Sequence, residues 1–175
     1  MRFSGLILLV LLAAIAFFAA APWFAFRSMR DAARTGDVSA LARMVDYRAL
    51  RESLSAQLTG RAPEPPPPDL LSDPVGALKQ VLKPRPAPAP EADLYLQPKV
   101  LAALADGRPP FAPLPPGARE PVPTIAFWGP DRCRIAVSDP LDPRRRTEFT
   151  FHRRGVYSWK LTRIAWTDRA VGRSG

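Results

Sequence analysis

Residues 3–26 form a run of 24 consecutive residues without a charged side chain, bounded by Arg2 and Arg27. As an α-helix this run would be about 36 Å long, enough to cross a hydrocarbon core of about 30 Å with some tilt. Trp23, Phe24 and Phe26 lie at its end, and aromatic rings suit the membrane–water interface. We therefore predict a transmembrane anchor over residues 1–27.

Two other interpretations of this run remain open. A cleaved secretory signal would have residues 6–18 as its apolar segment and residues 19–21, three alanines, as its cleavage site. Pro22 directly after that site disfavours cleavage, so we prefer an uncleaved anchor. A core helix buried on every face is the third interpretation, and it would need a partner layer all around it.

The charges that flank the run give conflicting indications about orientation. Arg2 precedes it, whereas Arg27, Arg30 and Arg34 follow, which by the positive-inside rule would leave the following domain in the cytoplasm. A short leader before an apolar run is instead typical of an exported domain. We expect export.

Residues 28–60 are predicted to be helical. Gly36 can end one helix and Asp37 can cap the next, while Asp46 is a second capping candidate. Apolar residues recur at helical spacing on both sides of Asp46: Leu41, Met44, Val45, Leu50, Leu54 and Leu58.

Residues 61–123 hold 18 of the 22 prolines and are predicted to be a linker region with short helices. The tracts at residues 65–68 and 84–90 favour polyproline II or mobile chain. Short helices are predicted over residues 75–82 and from Pro98 to a stop at Gly107.

Residues 124–168 are predicted to form a four-stranded antiparallel meander that completes one α+β domain with residues 28–60, followed by a tail at 169–175. The strands are Thr124–Trp128, Arg132–Ser138, 147–152 and 156–166. Alternation assigns one buried face to Ile125, Phe127, Cys133, Ile135, Val137, Phe149, Phe151, Tyr157, Trp159 and Leu161. It assigns the polar face to Arg132, Arg134, Thr150, His152, Ser158 and Lys160.

The last hairpin can be given a register. Pairing Phe151 with Tyr157 and Phe149 with Trp159 keeps aromatic residues on one face and leaves residues 153–155 as a three-residue loop with a bulge at Gly155. A second bulge is predicted near Thr162 and Arg163, because the apolar alternation shifts by one residue there.

Composition removes many enzyme classes. The single Cys133 excludes an internal disulfide, and the single His152 excludes the usual histidine-rich metal sites. Alternation places these two residues on opposite faces of the sheet, which argues against a Cys-His dyad. Nucleotide-binding, serine-hydrolase and zinc-protease motifs are absent from the sequence, so we predict neither a cofactor nor a metal.

Asp46 and Tyr47 are the catalytic candidates, because an Asp and a Tyr in an apolar pocket can act as base and hydroxyl donor on a carbonyl substrate. A capping Asp followed by a partly buried Tyr is the preferred interpretation.

The chain carries 25 basic and 16 acidic residues, and Arg accounts for 21 of the basic ones. Possible anion-binding residues are Arg144, Arg145, Arg146, Arg153 and Arg154, although the two loops that carry them should lie at opposite ends of a meander. The aromatic residues alternate to the other face, so nucleic acid is not an expected partner.

Four segments resemble the bacterial membrane-anchored proteins grouped as domain of unknown function 2939. They are residues 21–23 (APW), 30–37 (RDAARTGD), 41–54 (LARMVDYRALRESL) and 151–164 (FHRRGVYSWKLTRI). The resemblance implies a bacterial inner-membrane protein and brings no activity, cofactor or site residue with it. Helices followed by a sheet also resemble a cystatin-like or NTF2-like arrangement, a likeness of order that gives no function.

Three functions therefore stand as hypotheses. The first is a single-span inner-membrane protein, not an enzyme, that presents a small non-catalytic α+β domain for binding or scaffolding a protein or lipid partner. The second is a pocketed lipid or small-molecule binder, or an isomerase-like enzyme of NTF2-like type. The third is an Arg-rich module that binds anionic lipids. The sequence leaves the oligomeric state open.

Overall fold

The computed structural model describes residues 2–60, 91–110, 121–142, 144–155 and 158–168, and its first element is one long helix. Helix α1 runs over Arg2–Thr35 without interruption. It ends where Gly36 takes a left-handed conformation (φ 71°), which allows Asp37 N–H to donate to Ala32 O at 2.9 Å. The predicted stop at Gly36 is thus confirmed, and the predicted anchor segment shares one helix with the residues that follow it.

Two short helices follow, and each begins at an aspartate cap. Helix α2 covers Val38–Met44, where Asp37 Oδ1 accepts from Ala40 N at 2.8 Å, and α3 covers Tyr47–Leu58, where Asp46 Oδ1 accepts from Ala49 N at 3.1 Å. The predicted caps are confirmed.

Helices α4 (Ala92–Tyr95) and α5 (Pro98–Ala105) lie within the proline-rich region. Pro98 occupies the first turn of α5, and Gly107 (φ 68°) closes it, as predicted. Leu101 and Leu104 are fully buried, so this part of the region belongs to the hydrophobic core. The predicted helix at 75–82, the proline tracts at 65–68 and 84–90, and residues 111–120 of the predicted linker region lie outside the described residues.

The sheet has four antiparallel strands in the order β1-β2-β3-β4, the predicted meander. The strands are β1 (Thr124–Trp128), β2 (Arg132–Ser138), β3 (Arg145–Arg153) and β4 (Trp159–Asp168). We call the end with the β1–β2 turn and the β3–β4 connection the proximal end, and the end with the β2–β3 loop the distal end. The fold is therefore α+β, with helices covering one face of the sheet.

The predicted register of the last hairpin is wrong. Phe151 pairs with Leu161, and Arg153 pairs with Trp159, so the connection comprises residues 154–158 and Gly155 lies within it. The observed partner of Phe151 is four positions beyond the predicted Tyr157, and this even displacement keeps Trp159 and Leu161 on the face predicted for them. Alternation alone cannot distinguish the two registers. In the observed one, Leu161 O also accepts from Asp46 N at 2.9 Å, which connects β4 to the start of α3. Tyr157 itself lies outside the described residues.

The second predicted irregularity is confirmed. Phe151 pairs with Leu161 whereas Thr150 pairs with Arg163, which leaves Thr162 as the additional residue of a bulge in β4. Because of this bulge, both Leu161 and Ile164 are buried although they are three residues apart.

Strand β1 departs from the predicted faces. Its register shifts between Ile125 and Phe127, so that Phe127 pairs with Arg134 on the polar face and Trp128 pairs with Cys133. Ile125 and Phe127 are 49% and 36% exposed, which corrects the prediction that both are buried. The remaining described members of the predicted core face are buried.

Helix α1 crosses the covered face of the sheet and supplies the centre of the core. Phe26 is fully buried, with its ring centroid 5.3 Å from that of Phe149 and 6.3 Å from that of Phe151, both in edge-on geometry. Met29 is also fully buried one turn further on. The same helix that begins as an exposed apolar rod therefore ends inside the domain.

Candidate functional site

Asp46 lies at the junction of α2, α3 and the proximal end, where both of its carboxylate oxygens accept hydrogen bonds. Oδ1 accepts from Ala49 N at 3.1 Å, and Oδ2 accepts from Arg154 Nη2 at 3.1 Å. Tyr47 is partly buried beside it, and burial raises the pKa of its hydroxyl. The geometry gives Asp46 a structural part: it caps α3 and ties that helix to the β3–β4 connection.

Cys133 and His152 lie on opposite faces of the sheet. Cys133 pairs with Phe151 and is fully buried, whereas Arg132 pairs with His152 on the polar face. Burial raises the pKa of the Cys133 thiol to about 11, so it behaves as a small core side chain. Among the described residues, no group of three His, Cys, Asp or Glu side chains could hold a metal ion.

The five candidate anion-binding arginines separate into two groups. Arg153 and Arg154 lie at the proximal end, where Arg153 donates to Asp131 Oδ1 at 2.7 Å and Arg154 pairs with Asp46. Arg144, Arg145 and Arg146 lie in or beside the β2–β3 loop at the distal end. The structure thus does not bring the five into one patch, as the meander topology requires.

A cleft of about 310 Å³ opens at the distal end. Its lining includes Arg108, Arg145, Arg146, Asp139 and Trp166, and Asp46 and Tyr47 are not part of it. Two of these arginines come from the predicted anion-binding group, whereas Arg108 follows α5 and is brought here by the tertiary fold.

Asp106 forms a second charged cluster at the distal end. Its Oδ1 accepts from Arg30 Nε at 2.9 Å and from Arg34 Nη2 at 2.7 Å, and its Oδ2 is 3.3 Å from Arg108 Nη2. Only 13% of the Asp106 side chain is exposed. A single carboxylate therefore connects the end of α1 to the end of α5.

The proximal end contacts α1 through aromatic side chains. Trp128 Nε1 donates to Ala19 O at 3.1 Å, and its ring meets that of Phe18 edge-on at 6.4 Å. Pro22 lies within α1 and has no N–H to donate to the preceding turn, which loosens the backbone there. The Arg153 guanidinium lies 5.4 Å from the centroid of Phe18. We call this set of contacts the junction; Phe18, Ala19, Trp128 and Arg153 define it.

A row of basic side chains crosses the polar face next to the junction. Arg132, His152 and Lys160 occupy successive strands in one register row, which we call the basic row. Arg132 and Arg134 both lie over the Phe127 ring, at 5.0 and 5.3 Å from its centroid. Sequence reasoning placed these residues on one face but missed the row, because the row depends on a register that alternation does not determine.

The fold and this arrangement define an α+β protein whose N-terminal helix is long and apolar enough to cross a membrane. Residues 10–104, more than half of the chain, match the family described as a protein of unknown function, DUF2939. The chain belongs to this family. No significant match was found among curated proteins or among solved structures.

Proposed function

We propose that this chain is a non-catalytic, single-span protein of a bacterial inner membrane, whose α+β domain binds or scaffolds a partner at the membrane surface. Helix α1 serves as the anchor and as the central helix of the domain. In this proposal the domain faces the exported, periplasmic side of that membrane.

The continuity of α1 is the observation that carries the proposal. Leu6, Leu9 and Ile15 are each more than half exposed, whereas Phe26 and Met29 on the same helix are fully buried. Exposed leucines along a helix are unfavourable in water and favourable in lipid. The first part of α1 therefore fits a bilayer, and the second part fits the protein core.

The junction supports an anchor that is retained. Cleavage after Ala21 would remove Phe18 and Ala19, the partners of Trp128 and Arg153. The indole N–H of Trp128 would then lose its acceptor, and its ring would lose its apolar neighbour.

A non-catalytic domain is supported by the surroundings of the candidate residues. Asp46 is held by a cap and by an ion pair, which leaves its oxygens committed to structure. A general base would need a carboxylate open to a substrate proton.

The proposal is tested with the full-length chain expressed in bacteria. We expect the protein to remain in membranes after an alkaline carbonate wash, and its intact mass to include residues 2–21. A soluble product that begins at Pro22 would contradict the anchor. A C-terminal phosphatase fusion should be active and a fluorescent fusion dark; the opposite pair of results would place the domain in the cytoplasm.

Binding of a small anionic molecule is a second candidate function, favoured by the distal cleft and its arginines, Arg108, Arg145 and Arg146. Native mass spectrometry of the detergent-extracted protein should then show a bound molecule that is lost in an Arg146→Gln variant. Recovery of the bare chain alone would count against this function.

A further inference from the structure

The exposed part of α1 is shorter than a bilayer is thick. Residues 3–17 precede the junction, and at 1.5 Å per residue they extend about 22 Å. A hydrocarbon core is about 30 Å thick, so this segment falls short by about 8 Å, and any tilt increases the shortfall. If the span is to be complete, residues 18–22 must also lie at membrane depth, and the junction is drawn into the headgroup region.

The side chains at the junction suit that position. Trp128 is 42% exposed although it contacts α1, and Phe127 beside it is 36% exposed. Tryptophan and other aromatic rings favour the interface between lipid and water. Contact with headgroups and upper acyl chains would remove the cost of exposing these rings to water.

The basic row lies at the same level. Neighbouring strands are about 4.8 Å apart, so Arg132 and Lys160 flank His152 with about 10 Å between their Cα atoms. Within the described part of the chain, neither Arg132 nor Lys160 forms an ion pair. The two permanent charges of the row thus lie on either side of one imidazole, and a phosphate placed between them would accept hydrogen bonds from both cations.

We propose that the basic row binds the phosphate of anionic phospholipid headgroups in the leaflet from which α1 emerges, with Trp128 and Phe127 inserted beside it. This inference rests on the proposed function, because it requires α1 to span the bilayer. The domain then lies against the membrane through its proximal end, and the distal cleft faces away from it.

The test uses the full-length chain in nanodiscs of equimolar phosphatidylcholine and phosphatidylglycerol. Native mass spectrometry of the released protein measures the ratio of the two lipids that stay bound. We expect the unmodified chain to prefer phosphatidylglycerol. In an R132Q/K160Q variant this preference should fall, by about fivefold for each of the two cations removed. An R43Q/K99Q variant, which removes two exposed cations outside both the basic row and the distal cleft, is the matched control and should keep the preference.

Several outcomes would overturn the inference. Equal losses in the two variants would show a nonspecific effect of charge, and an absence of preference in the unmodified chain would remove the site altogether. Displacement of the lipid by inorganic phosphate at equal concentration would indicate a free-anion site. A chain that fails to enter nanodiscs contradicts the proposed anchor, whereas a chain that inserts without lipid preference contradicts only the basic row.

His152 gives an independent measurement because it is the only histidine. Burial and the positive charges of Arg132 and Arg154 lower the pKa of its imidazole, which Asp131 partly offsets, and Lys160 faces it from β4. A bound phosphate should raise that pKa. In an NMR titration, replacing phosphatidylcholine with the mixed lipid should raise the pKa of His152 more in the unmodified chain than in the R132Q/K160Q variant; equal increases would show the bilayer surface potential alone.

Discussion

Replacing Asp106 with asparagine should destabilise the domain far more than the same replacement at an exposed aspartate. Asp106 is 13% exposed and accepts from three guanidinium groups, of which Arg30 and Arg108 are also largely buried. Removing one partner from a buried ion pair costs about 3–5 kcal/mol, because the remaining charges are left without compensation. Asparagine keeps one acceptor oxygen, and Arg34 is partly exposed, so we expect the lower value, about 3 kcal/mol.

Asp93 provides the matched control. It pairs with Arg51 at 2.6 Å, but its side chain is 60% exposed, and exposed pairs contribute at most about 1 kcal/mol. Thermal unfolding of the full-length variants in detergent, followed by tryptophan fluorescence, should lower Tm by at least about 10 °C for Asp106→Asn and by a few degrees for Asp93→Asn. Arg34→Gln should have a small effect, because it reduces the excess of positive charge. Equal Tm shifts for the two aspartate variants would refute the assignment of Asp106 as a buried connection between α1 and α5.

Three further predictions concern the core, a close approach and the cysteine. Phe26→Ala should lower the free energy of unfolding by about 3–5 kcal/mol, because its ring is fully buried. Phe24→Ala, on the same helix but 54% exposed, should leave the free energy of unfolding in detergent almost unchanged. Similar losses for the two variants would contradict the packing of α1 on the sheet. Gly107→Ala should cost several kcal/mol more than Gly36→Ala in urea titrations, since both glycines have positive φ but only at Gly107 would a Cβ overlap Ser138 O. Cys133, buried and with its thiol pKa raised to about 11, should react with iodoacetamide at pH 8 only as the domain unfolds, and rapid labelling of the folded chain would argue against its burial.

The local features of this fold could be predicted from sequence because each depends on neighbouring residues. Asp37 and Asp46 are caps since each precedes an apolar helical pattern, and Gly36 ends α1 because it tolerates positive φ. The limits of β1 and β2 were predicted because alternation and turn residues coincide at both ends. The bulge at Thr162 was predicted from a shift in that alternation.

The features that depend on register and tertiary charge could not be predicted in the same way. The predicted β3–β4 register is wrong because a displacement of Phe151's partner by four residues leaves Trp159 and Leu161 on the predicted face, so alternation accepts both registers. Phe127 changes face because of a bulge in β1 that no apolar pattern marks. Asp106 meets Arg30 only when α5 packs on α1, and that packing joins segments 76 positions apart in sequence.

The uninterrupted course of α1 has a mechanical consequence. A domain joined to an apolar helix by a loop can reorient freely, whereas here Phe26 and Met29 pack the sheet against the same helix that carries the exposed apolar residues. A tilt or rotation of the first turns of α1 is therefore passed on to the strands that pack against its last turns. Bending of the helix at Pro22 would reduce the movement that is passed on. The orientation of the distal cleft then depends on the environment that holds the N-terminal half of α1.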